Sequence, residues 1–334
     1  MTRALPDPSA PLSPDAAADS FAAILDGAVS DDALGPFLLA LARRGETPAE
    51  VAAAAAALRA RMAPVAAPAG AIDLCGTGGD GAHSLNVSTA AAFVVAAAGV
   101  PVAKHGNRAQ SSRTGTADVL EALGADLALP LDRLEAGLAE VGIAFLFAQR
   151  HHPSLARLAP VRRALGVRTI FNLLGPLANP AGVSRQLIGV FAPRAVALVA
   201  EAAAGLGSEA VLVVHGAGLD EIAVHAPSDL AWMSGGTTVQ ERLEPEVLGL
   251  GLHPLAAIAG GDAAANARAL RALLEGARAS ESERAYRAIT LANAAGALRV
   301  AGAAADWRRA VSLAAQLLDS GAALDRLNRF LAFR

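Results

Sequence analysis

Apolar positions along the first sixty residues recur with helical spacing and show no convincing strand. Ser13-Pro14-Asp15 starts a helix through Ala16–Leu25 that stops at Gly27, because proline suits the first helical turn and glycine the exit. Within Ser30–Arg44, Leu34, Phe37, Leu38 and Leu41 form one stripe, with Gly45 behind it. Thr47-Pro48-Ala49-Glu50 has capping-box spacing and opens a third helix through Val51–Met62. The pattern predicts a small all-helical domain over residues 13–66, which a later helical segment can join. A loose Pro-rich tail over 1–12 precedes it and a linker at Pro64–Gly70 closes it.

From Ala71 the period changes. Short apolar and β-branched runs at Ala71–Cys75, Val100–Ala103, Ile143–Phe147, Gln186–Phe191 and Ala210–Val214, with a further candidate at Glu221–His225, alternate with helical stretches at 90–98, 116–123, 131–141 and 193–204. Such alternation predicts an α/β domain over residues 71–334, with a central, largely parallel sheet flanked by helices. Its ligand site belongs outside the carboxyl ends of the strands. Asn266–Gly276, Arg284–Val300, Trp307–Ser320 and Ala323–Phe333 read as four more helices that serve as scaffold. The second of them carries Asn293 among apolar and small residues.

Two strand ends carry the candidate chemistry. The first runs into Gly76-Thr77-Gly78-Gly79-Asp80-Gly81, whose main-chain N–H groups can face a diphosphate, or which can be a tight strand–helix turn without a ligand. Asn86-Val87-Ser88-Thr89 then opens a helix, where free N–H groups and the dipole attract anions. The second delivers Lys104-His105-Gly106-Asn107-Arg108, a place for phosphate or a solvated charged pair. Ser111, Ser112 and Thr116 precede another helix and fit capping and anion binding equally. Asp220 and Glu221 are adjacent carboxylates after a strand: hard-oxygen ligands for magnesium, or a solvated polar turn. Arg162-Arg163 can be a basic helix face, and Cys75 a small buried strand residue. No serine elbow or cysteine–histidine pair suggests covalent catalysis.

Composition narrows the class. At 334 residues with net charge −3, the chain lacks the basic excess of a general nucleic-acid binder. The 54% hydrophobic content is largely alanine. The longest uncharged apolar run, Ala90–Ala103, is too short to span a bilayer, and Met1–Asp19 lacks the charged start and apolar block of a secretory signal. A single cysteine excludes an internal disulfide and a cysteine-cluster metal site. A soluble, cytoplasmic protein is expected.

Taken in order, Gly76–Asp80, Asn86–Thr89, Lys104–Arg108, Ser111-Ser112, Arg168-Thr169-Ile170-Phe171-Asn172-Leu173-Leu174-Gly175-Pro176-Leu177 and Leu219-Asp220-Glu221 resemble the anthranilate phosphoribosyltransferase family over nearly the whole chain. The resemblance implies the nucleoside phosphorylase-like fold, a homodimer formed through the helical domain, and Mg2+ as cofactor. It also implies transfer of the phosphoribosyl group of phosphoribosyl diphosphate (PRPP) to the amine of anthranilate. It assigns Gly76, Thr77, Gly78, Gly79, Asp80, Ser84, Asn86, Val87, Ser88, Thr89, Lys104, His105, Gly106, Asn107, Arg108, Ser111, Ser112 and Thr116 to PRPP. Gly76, His105, Asn107, His152 and Arg162 go to anthranilate, and Ser88, Asp220 and Glu221 to magnesium. No residue is assigned as nucleophile or general base; Lys104 and the metal stabilise the leaving group. Asn172 and Asn179 belong to a loop that shapes the pocket or acts as a hinge and are given no chemical step, and His83 and His151 are left unassigned. The Pro-rich start replaces most of the family's first helix, and a short turn at His215-Gly216-Ala217-Gly218-Leu219 precedes the acidic pair. A pyrimidine nucleoside phosphorylase-like enzyme and a non-catalytic nucleotide- or nucleic-acid-binding relative are the alternatives.

Overall fold

The structure, a computed structural model, describes residues 3–109 and 114–334. Ser111 and Ser112 lie outside the described residues. Three helices open the chain: α1 (Pro14–Asp26), α2 (Asp31–Arg44) and α3 (Pro48–Arg59). Their ends follow the local chemistry. Ser13 accepts the Ala16 N–H, Gly27 closes α1 at φ 72°, and Thr47 and Glu50 form the expected capping box.

Residues 3–12, expected as a loose tail, are laid onto these helices. The Arg3 N–H donates to the Ala28 carbonyl (2.6 Å), and buried Leu12 donates its N–H to Glu50 Oε1 (2.9 Å). Glu50 is the reason. Its fully buried carboxylate also takes the Thr47 N–H (2.8 Å) and the Arg44 guanidinium (2.7 Å), so the segment beside it is held by charge-assisted bonds.

The larger part alternates β1 (Ile72–Gly76), α4 (Val87–Ala97), β2 (Val102–Gly106), α5 (Thr116–Ala122), α6 (Leu131–Glu140) and β3 (Ile143–Phe147). Short helices α7 (Ala148–His151), α8 (Pro153–Ala156), α9 (Ala159–Leu165) and α10 (Leu174–Leu177) follow. Then come β4 (Arg185–Gly189), α11 (Arg194–Gly205), β5 (Ala210–His215), β6 (Ser228–Ser234), β7 (Thr237–Leu243) and α12 (Ala263–Leu274). The chain ends with α13 (Glu281–Val300), α14 (Trp307–Asp319) and α15 (Ala322–Ala332). Strand order is β3-β2-β1-β4-β5-β6-β7; the first five strands are parallel, and β6 and β7 pair antiparallel.

Two expectations are corrected here. The second strand runs over Val102–Gly106 instead of 100–103, so Lys104 and His105 lie within it, and both are buried. Glu221–His225 is not a strand. Ile222 hydrogen-bonds Asn293 and the Ala223 N–H donates to Ser228 Oγ, which leaves these groups no ladder to join.

Strand residues alternate between the two faces of the sheet, covered by two large cores and a smaller cluster around Ala103, Ala144 and Leu146, as a sheet buried on both faces requires. Leu187, Leu212 and Val214 face a core with α4, α13, α14 and α15. Ile188, Val211 and Val213 face the opposite core, which contains α11, α1–α3 and the 158–178 segment. The small helical layer is thus joined by later residues, and Leu158, Val161, Ile170 and Phe171 share its core. Among the described residues no helix is long and apolar enough to cross a membrane.

Candidate functional site

The carboxyl ends of β1, β2, β4 and β5 converge on one set of loops. In register, Gly76 ends β1 opposite Gly189 at the end of β4. A Cβ on Gly76 would lie 2.2 Å from Asp220 Oδ2, and one on Gly189 would lie 1.6 Å from the Asp220 carbonyl oxygen. The two glycines form a cradle that Asp220 fills; any side chain there would displace it. Gly189 went unnoticed in the sequence, although a glycine closing a strand signals close approach of another backbone. Thr77 ties the two ends together, its N–H donating to Gly189 O (2.9 Å) and its Oγ1 accepting the Phe191 N–H (3.1 Å).

Asp220 takes the Gly78 N–H on Oδ2 (2.7 Å) and gives its own N–H to Asp80 Oδ2 (3.3 Å). One N–H expected to face a diphosphate is therefore spoken for by a carboxylate. Glu221 Oε1 accepts the Ser88 N–H (3.1 Å) at the start of α4, so Ser88, Asp220 and Glu221 are brought together. Burial, reinforced by Asp80, pushes Asp220 up to about 7, and burial with the Asp220 charge raises Glu221 well above the usual carboxylate range. Asp80, Asp220 and Glu221 crowd three partly buried carboxylates at one helix terminus, with the Lys104 charge reaching Glu221. Hard oxygens so placed fit a magnesium ion, which takes one or two carboxylates and keeps its remaining positions for phosphate and water.

The turn ahead of Asp220 is pinned by two histidines. His215 places Nδ1 on the Val190 carbonyl (2.8 Å) while its Nε2 accepts the Gly218 N–H (3.1 Å), and His225 Nε2 contacts Ala217 O (3.2 Å). Ala217 takes φ 49°, a left-handed conformation uncommon for alanine.

The start of α4 is held from the C-terminal helices. Asn86 makes no capping bond; its Oδ1 accepts from Asn266 Nδ2 (3.0 Å), and its carbonyl accepts the Tyr286 hydroxyl (3.2 Å). Val87 is buried at the first helical position. Thr89 Oγ1 donates to Thr116 Oγ1 (3.3 Å), joining α4 to α5. Ser84 bridges Ala259, and the Gly260 N–H donates to the His83 carbonyl (2.8 Å), so His83 contributes main chain at φ 51°. Asn266 and Tyr286, expected as scaffold, thereby position site residues.

On the basic side the structure departs from expectation. Lys104 does not project from a strand end: its Nζ donates to the Leu74 carbonyl (2.6 Å) beneath the glycine loop. Asp73 beside it is fully buried; burial pushes it up to about 6, and the Lys104 charge, Asn179 Nδ2 (2.8 Å) and the His105 N–H (3.1 Å) hold it down. Arg108 is paired with Glu121 (2.7 Å) and Asp118 (2.9 Å) beside the Phe147 ring, so its guanidinium is already engaged by carboxylates. Asn107 Oδ1 accepts the Arg108 N–H (2.8 Å) and Gln149 Nε2 (3.3 Å). A Cβ on Gly106 would lie 2.8 Å from the Phe145 ring, so Gly106 lets β2 and β3 close.

His105 and His152 are both buried and meet edge to face with ring centroids 5.2 Å apart. His105 Nδ1 reaches the Gly175 carbonyl (3.0 Å). Burial, aided by the facing histidine, lowers His105 to about 3, and burial with the His151 charge lowers His152 to about 4, so both are neutral near pH 7. His151 packs the linker through Ala63 O (2.9 Å). Arg162 is half-buried over Phe171 at 5.8 Å and, among the described residues, has no carboxylate partner. Arg168, unassigned in the sequence, donates to Gly79 O and lies 4.5 Å from the Phe191 ring centre. Asn172 caps its own turn through Thr169 N–H (3.0 Å). Cys75 is buried, and burial raises its thiol far above the range of a reactive thiolate.

The chain matches the helical bundle domain of a glycosyl transferase family over residues 7–62 and its a/b domain over residues 69–324. It is 54% identical to the anthranilate phosphoribosyltransferase of Novosphingobium aromaticivorans over 98% of each chain. Among solved structures it is similar to anthranilate phosphoribosyltransferase from Thermus thermophilus, with TM-score 0.92 and 42% identity over 97% of this chain and 96% of that one. The Saccharomyces cerevisiae enzyme in complex with PRPP and Mg is also similar, with TM-score 0.86 and 28% identity over 96% and 93% of the two chains.

Proposed function

The chain belongs to the anthranilate phosphoribosyltransferase family, and from that premise we propose that it transfers the 5-phosphoribosyl group of PRPP to the amine of anthranilate. The C1–oxygen bond to diphosphate breaks, a C1–nitrogen bond forms, and the amine proton leaves to solvent. The products are N-(5-phosphoribosyl)anthranilate and diphosphate, in tryptophan biosynthesis. The observation that carries the proposal is the acidic pair seated between the glycine loop and the start of α4.

In this scheme Ser88, Asp220 and Glu221 hold magnesium, which when bound neutralises the diphosphate as it takes on charge. The remaining work is positioning and electrostatics. The Gly76–Gly81 loop, Ser84, Asn86–Thr89, Thr116 and the Lys104–Ser112 stretch surround PRPP. Lys104 acts from beneath the loop, where its charge offsets part of the rise that burial and Asp220 impose on the Glu221 carboxyl. Arg108 exchanges its carboxylates for phosphate. The aromatic acceptor lies by Gly76, Asn107 and the neutral edges of His105 and His152. Because both imidazoles are uncharged, the counter-charge for its carboxylate comes from Arg162. No general base is required, since the arylamine keeps a free lone pair at neutral pH. Family membership also supports a homodimer formed through the helical domain and a cytoplasmic location.

Arg162→Ala tests the acceptor assignment. The Michaelis constant for anthranilate is expected to rise about tenfold or more while that for PRPP stays within about twofold; equal changes in both contradict it.

A further inference from the structure

Asn293 is fully buried in α13, and among the described residues its side-chain hydrogen bonds all go to main chain. Its Oδ1 accepts the Ile222 N–H (2.9 Å), while Nδ2 donates to the Ile222 carbonyl (3.1 Å) and to the Ile289 carbonyl (2.8 Å). The two bonds on Ile222 imitate one rung of a β-ladder, at a place where the chain has just left Glu221 and joins no strand. Gly296, one turn further along α13, leaves room for the Ile222 side chain: a Cβ there would lie 2.8 Å from Ile222 Cδ1. Near its other end the same helix holds the Asn86 carbonyl through Tyr286, two residues before the Ser88 N–H that donates to Glu221. One rigid helix therefore grips both the segment that carries the Glu221 carboxylate and the helix end that meets it. A side chain needed only to fill this space would be apolar. An amide is needed because both polar groups of a buried Ile222 would otherwise be orphaned.

We propose that Asn293 is a positioning residue for the Asp220-Glu221 pair. By clamping both main-chain groups of Ile222 it fixes the two carboxylates against the start of α4, and so sets the divalent-cation requirement of the diphosphate end. This rests on the assignment of that pair to magnesium and deepens it.

The test measures PRPP binding by calorimetry without anthranilate, across a magnesium series. It uses Asn293→Ala, the isosteric Asn293→Asp, and Glu221→Gln as a reference. Thr290→Val, on the same helix, is the packing control, because Thr290 is fully buried and its Oγ1 has no hydrogen-bond partner among the described residues. In both Asn293 variants the magnesium needed for half-maximal PRPP binding is expected to rise about tenfold, in line with groups that orient metal ligands. The Michaelis constant for anthranilate should stay within about twofold, and Thr290→Val should leave the magnesium requirement in place. Folded Asn293 variants with an unmoved magnesium requirement, when Glu221→Gln shifts it, overturn the proposal and leave the metal assignment standing. If Glu221→Gln shifts nothing either, the metal assignment itself fails. If Asn293→Ala does not fold, Asn293→Asp decides the matter, since it keeps the volume and removes the donor to Ile222 O. Failure of both to fold overturns the proposal in favour of a purely structural role.

Discussion

Asp220 illustrates how a single carboxylate can be tuned by what is left out around it. Gly76 and Gly189 vacate the space it occupies, and burial beside Asp80 pushes it up to about 7. Metal binding requires the ionised form, so protons compete with magnesium as pH falls through that value. The magnesium needed for half-maximal turnover should therefore rise between pH 8 and pH 6, and a flat profile would show that Asp220 is ionised throughout. Gly189→Ala should act as strongly as loss of the carboxylate, because the Asp220 carbonyl would have to move by more than an ångström. The expected result is a roughly hundredfold fall in kcat/KM for PRPP with a folded protein; near-normal turnover contradicts the cradle. Gly76, Asp220 and Glu221 were legible because resemblance and strand-end logic point to them. The strand-closing position of Gly189 and the lone amide Asn293 in an apolar face were visible, but not what they touch: Gly189 meets Asp220 31 residues away, and Asn86 and Ile222, the site partners of Asn266 and Asn293, lie further still.

At the scale of elements, caps were the most readable features and strand edges the least. Thr47-Pro48-Ala49-Glu50 announces α3, and the structure shows the same glutamate anchoring Leu12 and Arg44. Burial raises the Glu50 carboxyl, but the Leu12 and Thr47 N–H groups, Arg44 and the Thr47 hydroxyl outweigh it and leave it below the usual range. A lowered native pKa contributes stability that is fully present above the unfolded value, about 4.3, and is lost as pH falls through the native one. Glu50→Gln should cost about 2 kcal/mol at pH 7. It should also flatten the loss of stability between pH 5 and pH 3, both read from urea unfolding; an unchanged acid profile would remove Glu50 as the anchor. The β6–β7 hairpin escaped the sequence reading although Gly235-Gly236, both at positive φ, provide the dipeptide that such a turn demands. β7 is polar along most of its length and exposed at the sheet edge, so the hydrophobic pattern is faint. The second strand was placed two residues early because Lys104 and His105 look like loop residues until burial and Leu74 account for them.

Across the whole molecule, a seven-stranded sheet separates two cores, and the four parallel strand ends nearest its middle open onto a single cluster of loops. The 148–178 segment reaches that cluster through Arg168, and α13 through Tyr286 and Asn293. The parallel sheet and the helical start were evident from the alternating period alone, whereas the way α12 and α13 reach into the site needed coordinates. The direct test of the whole account follows anthranilate fluorescence after mixing the purified protein with PRPP, with magnesium and with a chelator. Loss of anthranilate that requires magnesium, with one diphosphate released for each molecule consumed, is the predicted result. Stable anthranilate fluorescence in the presence of both PRPP and magnesium, from a protein that calorimetry shows to bind PRPP, would contradict it.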